Sequence, residues 1–327
     1  MEPKIFIGPM SKNIVDSIIQ VANENDTIIG MIPSRRQIEY NGGYVNNWKT
    51  NEFINYVRQK TDRVLLERDH GGPMQGYEDD DGLGSYKEDS LCGFDIIHVD
   101  PFKKYRTMEH AAQHTIENII FCNNHNNECY YEVGTEEGIR KYSHEELDKF
   151  LNILYKQLGP LFERIKFAVI QSGTKLQSGE NILKLDEDKC SKMVNVCKKY
   201  GLLSKEHNGD FISLSDIKKR FDLGLNAINI APEFGVIETK CILNYIEKYN
   251  KEDLFNSFYN MCYNSRRWEK WFPKDFKPEL ERKKLIQVSG HYVFSENDFL
   301  QIKKQLPGID DIICKQIMKK IKLLHSI

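Results

Sequence analysis

The sequence predicts an α/β fold, a (β/α)₈ TIM barrel with a C-terminal helical extension. Short β-rich runs alternate eight times with longer helical patterns over about 250 residues, as they do in such barrels. Most runs carry three or more consecutive apolar residues, which is typical of parallel strands buried on both faces. The runs are residues 4–9, 27–34, 63–70, 95–102, 129–135, 166–173, 202–209 and 227–235. A doubly wound open sheet is the alternative, but no glycine-rich fingerprint follows the first run.

The segments between the runs carry helix start and stop signals. Residues 11–25 open with a serine N-cap and place isoleucine and valine on one side of a helix. Residues 143–159 combine a serine N-cap, acidic residues in the first turn and a terminal glycine. Residues 186–201 and 213–224 also end on glycine. Each segment therefore predicts a helix.

The chain changes character after about residue 250, where an aromatic and basic stretch precedes a helical pattern. We predict two units, a barrel over residues 1–250 and a helical extension over 251–327 packed on it. Arg266, Arg267, Trp268 and Trp271 lie in the aromatic stretch. They can line a site or an oligomer contact, but we favour structural packing.

The composition excludes several classes of function. The formal net charge is −2, so no overall field attracts nucleic acid or an anionic membrane. No apolar run reaches about 18 residues, the length of a membrane span, and the first residues lack the pattern of a signal peptide. The eight cysteines are scattered without a CxxC pair, as expected of reduced thiols. We expect a cytoplasmic protein that binds neither nucleic acid nor membrane.

Polar and ionisable side chains lie at the carboxyl end of almost every predicted strand. The carboxyl ends of the strands form the active site of a TIM barrel, so these residues predict an active site at one mouth. They are Ser34, Arg35 and Arg36; Asp69 and His70; His98 and Asp100; Glu132; Gln171, Ser172 and Gly173; Glu206, His207, Asn208 and Gly209; and Asn229 to Glu233.

Two of these histidines, His70 and His207, end different strands near carboxylates. Imidazole with carboxylate suits zinc or manganese, although a strand-end histidine can instead be a hydrogen-bonded structural residue. His98 lies inside its strand, where either reading applies. Glu132 would be a costly buried charge without a partner, so we predict that it acts as a metal ligand or as an acid or base.

Asp69 and His70 are neighbours, and neighbours on a regular strand point to opposite faces. The glycines at positions 71 and 72 allow the backbone to turn after His70 and bring both side chains to the mouth. Glycines also follow the late strands, at Gly173 and Gly209. Loops there commonly hold phosphate on backbone N–H groups, so we predict a phosphate site at these two glycines.

With these residues placed, the sequence resembles the class II aldolase superfamily, and more narrowly the accessory (non-catalytic) subunits of tagatose-bisphosphate aldolase. The resemblance covers roughly residues 5–250 and rests on an ordered set of motifs. The matching pieces are residues 34–44, 67–73, 96–102, 131–138, 169–174, 205–210 and 228–235.

The resemblance implies roles for several residues. Asp69 matches a proton-transfer residue, and His70 and His207 match zinc ligands. Glu132 matches a strand-5 glutamate near the metal, and Asn229 begins a segment that contacts substrate and phosphate. The cofactor would be a divalent metal, Zn²⁺ first and Mn²⁺ as the other candidate.

One departure concerns Gln171, where catalytic class II aldolases carry a further zinc histidine. The accessory subunits share this departure, so Glu132, Gln171 or His98 would complete the ligand set. The adjacent Arg35 and Arg36 suggest an extra anionic group on the substrate, a second phosphate or a carboxylate.

These inferences give one set of predicted site residues. The predicted catalytic residues are Asp69, Asp100 and Glu132. The predicted metal ligands are His70, His207, Glu132 and Gln171. The predicted substrate- or phosphate-binding residues are Arg35, Arg36, His98, Gly173, Asn208, Gly209, Asp210, Asn229 and Glu233.

The resemblance implies a metal-dependent enzyme that acts on a phosphorylated ketose, by reversible aldol cleavage or by C4 epimerisation through cleavage and re-addition. The alternative is a non-catalytic accessory subunit that stabilises an aldolase. A kinase, a label sometimes attached to this family, finds no support because the chain has no GxxxxGK[ST] loop. We expect a homo-oligomer or a complex with a partner aldolase subunit.

Overall fold

The computed structural model describes residues 2–182 and 184–327. Within them, eight parallel strands close into a barrel in chain order, and the last strand pairs with the first through Ile228 and Ile5. Each predicted run overlaps one strand, so the TIM-barrel prediction is confirmed and the open sheet is excluded. The boundaries differ slightly, because β3 and β6 each extend one residue beyond their runs and residues 232–235 of the last run belong to a helix. The strands are β1 (Ile5–Ile7), β2 (Ile29–Met31), β3 (Val64–Gly71), β4 (Ile96–Val99), β5 (Tyr130–Val133), β6 (Ile165–Ile170), β7 (Leu203–Glu206) and β8 (Ala227–Ile230).

Eight helices follow the strands around the barrel. The four predicted from capping signals are present, and Ser11, Ser143, Asp186 and Ser213 accept the expected N-cap hydrogen bonds. The helices are α1 (Lys12–Glu24), α2 (Thr50–Arg58), α3 (Leu83–Cys92), α4 (Met108–His125), α5 (His144–Leu158), α6 (Glu187–Lys199), α7 (Leu214–Asp222) and α8 (Pro232–Lys248). A short antiparallel hairpin joins Leu176–Gln177 to Glu180–Asn181 beyond β6.

The C-terminal part is helical, and its last helix packs against α1 and α8. Its helices are α9 (Glu252–Asn264), α10 (Arg282–Ser289), α11 (Asn297–Lys304) and α12 (Ile309–His325). Residues 265–281, between α9 and α10, form a series of turns. Among the described residues, no helix combines the length and apolar character that a membrane crossing requires.

The barrel interior has an apolar base and a charged layer. Phe6, Ile96 and Phe167 belong to a small buried cluster inside the barrel. Lys205 is fully buried, and its Nζ lies 2.5 Å from Glu67, 2.9 Å from Glu132 and 3.7 Å from the centre of the Phe6 ring. A buried charge needs such partners, and this layer supports the residues at the mouth.

Outside the barrel wall, Arg68 of β3 ties the strands to α3. Its guanidinium is fully buried and donates to both carboxylate oxygens of Asp89 at 2.6 and 2.8 Å. It also donates to the carbonyl oxygens of Pro33 and Ile38 at 3.1 and 2.8 Å. The ion pair of Arg68 with Asp89 thereby fixes the loop that follows β2, and this loop forms one wall of the mouth.

We expect Asp89→Asn to lower the free energy of unfolding by about 3–5 kcal/mol, because it leaves a buried guanidinium without its counter-charge. Urea denaturation measures the change. The matched control is Asp148→Asn, which breaks the exposed ion pair with Lys199 and should change the free energy by less than about 1 kcal/mol. Equal effects of the two substitutions would show that the buried pair does not stabilise the wall.

Candidate active site

At the end of β3, two neighbouring side chains, Asp69 and His70, both lie at the mouth of the barrel. The pairing of β3 with β4 shifts register between Arg68 and Gly71, and His70 adopts a left-handed φ of 46°. The turn therefore occurs at His70 itself, one residue earlier than predicted. A Cβ on Gly71 would lie 2.7 Å from the carbonyl oxygen of His98, so the close approach of the strands requires glycine. Both Asp69 and His70 line the main cavity as a result.

Asp100 orients the ring of His70 from below. Its Oδ2 lies 2.7 Å from Nδ1 of His70. Burial opposes charge on Asp100, but the hydrogen bond from His70 outweighs it and lowers the pKa of this carboxyl. Nδ1 is therefore the proton donor, and Nε2 faces the mouth. Asp100 was predicted to be catalytic, but it is fully buried and acts on His70 instead.

Glu132 orients His207 in the same way. His207 directly follows β7, and its Nε2 bonds to the carboxylate of Glu132. Burial opposes the charge of Glu132, yet Lys205, His207 and His98 hold its pKa well below the usual range. Nε2 is therefore the donor, and Nδ1 of His207 faces Nε2 of His70 at 3.4 Å. Glu132, predicted as a ligand, lies behind the histidine rather than beside it.

Three potential ligand atoms face one another at the mouth. Asp69 Oδ1 lies 3.5 Å from His207 Nδ1 and 3.8 Å from His70 Nε2. This buried oxygen has no hydrogen-bond partner among the residues that the structure describes. Burial disfavours a charged ring, but Asp69 and Asp100 raise the pKa of His70 to about 10. The space between His70 Nε2, His207 Nδ1 and Asp69 Oδ1 forms a small hollow. Its surroundings therefore attract a positive charge.

These donors fit a divalent metal. Four ligand atoms, one each from Asp69, His70, His98 and His207, lie within 4.8 Å of one another. Tetrahedral ligands at about 2.0–2.2 Å from zinc are separated by distances close to the three measured here. Each of the two mouth histidines donates its other N–H to a carboxylate, as metal-bound histidines do. His70 and His207 would hold the ion, and Asp69 Oδ1 would lie beside it.

His98 lies beneath this hollow and is fully buried. Its Nε2 donates to the carbonyl oxygen of Gly134 at 3.0 Å, and its Nδ1 accepts the backbone N–H of His70 at 3.2 Å. Burial lowers the pKa of His98 to about 4, so the ring is neutral. Both ring nitrogens thus have partners within the protein, and substrate binding by His98 stays a prediction.

Gln171 is not placed as a ligand either. Its side-chain oxygen accepts from the backbone of Tyr142 at 3.1 Å, and its amide donates to the carbonyl oxygens of Thr135 and Arg140 at 3.1 and 2.7 Å. The amide is thus used to hold the loop after β5. This corrects the predicted ligand set.

In the predicted phosphate site, the backbone N–H groups of Gly173 and Gly209 already donate hydrogen bonds to other protein groups. The N–H of Gly173 donates to Glu137 at 3.1 Å, and that of Gly209 donates to the carbonyl oxygen of Asn229 at 3.0 Å. Asp210 accepts the N–H groups of Ala231 and Glu233 at the start of α8, at 3.0 and 2.7 Å. The glycine N–H groups therefore cannot bind phosphate as predicted.

Two further residues predicted to bind substrate or phosphate lie beside Asp210. Glu233 accepts the N–H of Phe211 at 2.8 Å and pairs with Lys320 at 2.5 Å, so its carboxylate has partners within the protein. Asn208 lines the cavity and stays a candidate contact.

The two predicted arginines have different environments. Arg35 is buried, and its guanidinium bonds to Glu39 and Asp80 at 2.6 Å and to the carbonyl oxygen of Gly72 at 2.7 Å. It fixes the loops around the mouth and is not free for substrate, which corrects its predicted role. Arg36 is half-buried and lines the mouth.

The main cavity has a volume of about 560 Å³ and opens beside the hollow. Asn229 lines it, and neither atom of its buried amide has a hydrogen-bond partner within the described chain. Such an amide is suited to a substrate hydroxyl. Substrate contact by Asn229 stays a prediction.

The sequence reading missed several residues that line the mouth. Glu136 and Trp271 border both adjoining cavities, and Lys103 and Lys270 border the second. Glu136 lies in a matching motif, and Trp271 was weighed as packing. Lys103 follows β4 by four positions, which is the signal that would have found it. No strand-end pattern points to Lys270.

No protein-family model matches the chain, and no curated protein sequence matches it. Solved structures match in fold. A probable tagatose 6 phosphate kinase from Sinorhizobium meliloti 1021 is 14% identical, with a TM-score of 0.78 over 94% of this chain and 87% of that chain. Fructuronate-tagaturonate epimerase UxaE from Cohnella laeviribosi is 9% identical, with a TM-score of 0.63 over 99% and 81%.

Fructose-bisphosphate aldolase from Campylobacter jejuni is 11% identical, with a TM-score of 0.60 over 99% of this chain and 89% of that chain. At these identities the likeness shows the fold alone. It is consistent with the resemblance to the class II aldolase superfamily. The comparison confirms the TIM-barrel fold that this resemblance implies.

We expect Asp100→Asn to weaken zinc binding about 10–100-fold, because it removes the charge that orients His70. Competition with a chromogenic chelator measures the affinity. The matched control is His110→Ala, which removes an exposed histidine of α4 and should leave the affinity unchanged. Unchanged affinity in Asp100→Asn would contradict the placement of the ion at His70.

Proposed function

We propose that the protein is a metal-dependent enzyme that cleaves and re-forms a carbon–carbon bond of a phosphorylated ketose, as an aldolase or as a C4 epimerase. The observation that carries the proposal is the hollow formed by His70 Nε2, His207 Nδ1 and Asp69 Oδ1, with distances of 3.4–3.8 Å. It opens on a cavity of about 560 Å³, a volume typical of small-molecule sites.

The chemistry requires an electrophile and a base. A divalent ion, when bound, supplies a Lewis acid that polarises the ketose carbonyl. Asp69 takes the proton of the C4 hydroxyl, the C3–C4 bond breaks, and its electron pair passes to the carbonyl oxygen to give an enediolate and an aldehyde. Return of the proton from Asp69 accompanies re-addition. If the aldehyde turns before re-addition, the C4 epimer forms.

The remaining cavity residues have distinct tasks. His70 and His207 would hold the ion, and Asp100 and Glu132 fix their ring orientations. Glu136 is a further carboxylate that borders the cavity, and its charge acts on His70. The amide of Asn229 binds a hydroxyl of the substrate.

The comparisons support this proposal at the level of the fold. The barrel is shared with solved structures described as an aldolase and as an epimerase of sugar acids, and both activities suit one carbonyl-activating centre. The alternative, an accessory subunit without catalysis, does not require a complete donor set, whereas this chain keeps Asp69, His70 and His207 together. We therefore favour the enzyme.

We expect turnover of at least one member of a panel of ketose mono- and bisphosphates in the presence of Zn²⁺ or Mn²⁺, with products resolved by NMR. Asp69→Asn should lower turnover by about two or more orders of magnitude at saturating metal, the scale of general acid–base effects.

The matched control is Asp79→Asn, a change at an exposed carboxylate on the loop after β3, which should keep wild-type turnover. Absence of turnover with every substrate and both metals would favour the accessory role. Turnover that is insensitive to a chelator would contradict the metal-dependent route.

A further inference from the structure

A second cavity of about 300 Å³ adjoins the main one. The two share Asp69, His70, Glu136, Pro232 and Trp271 along their borders, so one bound molecule can extend from the hollow into both. The second cavity has three cations on its wall. They are Arg36 after β2, Lys103 after β4, and Lys270 from the turns between α9 and α10.

These three cations contact only neutral groups. Arg36 donates to the carbonyl oxygen of Gly76 at 3.0 Å, and Lys103 donates to that of Met74. Lys270 lies 4.6 Å from the ring centre of Trp271 and 5.2 Å from that of Tyr292. Within residues 2–182 and 184–327, none of the three forms an ion pair with a carboxylate.

The cations also repel one another. Burial lowers the pKa of Lys103, and the charges of Arg36 and Lys270 lower it further. Three segments that are distant in sequence thus bring three cations without an ion-pair partner among the described residues to one cavity, and two carboxylates, Asp69 and Glu136, lie on the border it shares with the main cavity. Such an arrangement is unfavourable in the free protein and becomes favourable when an anion binds.

The other end of the main cavity has the opposite character. Glu137 and Asp210 line it, together with Lys141 and Lys175. Glu137 pairs with Lys141 at 3.5 Å and with Lys189 at 3.3 Å, and its carboxylate takes the N–H of Gly173. This end therefore has no excess of positive charge.

Asp210 makes this end unsuited to a phosphate. Its carboxylate occupies the N–H groups at the start of α8, where phosphates bind in other proteins. Burial and the charge of Glu233 raise the pKa of Asp210 to about 8. A phosphate here would have to displace Asp210 and would add negative charge to a site that already disfavours it.

We propose that the substrate is a ketose monophosphate, with its phosphate bound by Arg36, Lys103 and Lys270 and its uncharged end directed toward Asn229 and Asp210. The proposal rests on the proposed function and names the substrate class of that same site. The C-terminal segment is then part of the binding site through Lys270, Trp271 and Tyr292.

The first test compares a ketose 1-phosphate, the 6-phosphate and the 1,6-bisphosphate. We expect one monophosphate to have a kcat/KM at least 10-fold above that of the bisphosphate. A keturonate, with a carboxylate in place of phosphate, should be a poorer substrate, because three cations match a dianion better than a monoanion. Equal or better turnover of the bisphosphate or the keturonate would overturn the proposal.

The second test uses Lys270→Met, with Lys274→Met as the matched control on the same segment, since Lys274 is exposed and borders neither cavity. We expect Lys270→Met to raise KM for the monophosphate at least 10-fold with kcat changed less than about 3-fold, and to leave the bound zinc unchanged. The control should match the wild type. Equal KM values in the two variants would overturn the role of Lys270.

A binding measurement separates this inference from the proposed function. Inorganic phosphate is titrated by calorimetry into wild-type protein, Lys270→Met and Lys274→Met. Weaker phosphate binding in Lys270→Met alone supports the anion site even if no ketose is turned over, an outcome in which the proposed reaction fails. Equal phosphate affinity in all three proteins overturns the anion site, whatever the activity.

Discussion

The mouth of the barrel depends on one buried ion pair, between Lys205 and Glu132. Lys205 also lies 2.5 Å from Glu67. Burial and the charge of Glu132 raise the pKa of Glu67 well above its usual range, so Glu67 keeps its proton while Glu132 loses its own. One ammonium and one carboxylate then balance inside the barrel. Without Lys205, burial would protonate Glu132, and His207 would lose the acceptor that fixes its tautomer.

A second constraint is the irregular end of β3. The register shift and the left-handed His70 bring Asp69 and His70 to the same side of the sheet, and Asp100 then fixes the imidazole. The two histidines reach the hollow from β3 and from the end of β7, each supported by its own carboxylate. The donor atoms are therefore held at the ends of two strands rather than within long loops, as preorganised metal sites require.

Much of the fold could be predicted from the sequence, because consecutive apolar residues mark parallel strands and capping residues mark the helices between them. The sequence also predicted that Asp69, His70 and His207 lie close together, since the carboxyl ends of the strands of a barrel meet at one mouth. The prediction of site residues was less successful where the role of a side chain depends on a hydrogen-bond partner that is distant in sequence. Gln171 is taken by the backbone of the loop after β5, and the amide of Gly173 by Glu137.

The arginines show the same limit. Arg35 and Arg36 are adjacent and chemically identical, but Glu39 and Asp80 engage only Arg35, which no strand-end pattern reveals. Lys270 lies well beyond the last strand, and only the packing of the C-terminal segment brings it to the mouth. Charge complementarity between such segments decides which residues are free to bind a ligand.

The central claim is that the hollow between His70, His207 and Asp69 binds a divalent metal. The most direct measurement is a crystal structure of zinc-loaded protein with anomalous diffraction recorded on both sides of the zinc absorption edge. We expect one strong peak within bonding distance of His70 Nε2 and His207 Nδ1, and its loss in crystals of His207→Ala protein. Zinc-loaded crystals without a peak in the hollow, or with the strong peak at another site, would contradict the account.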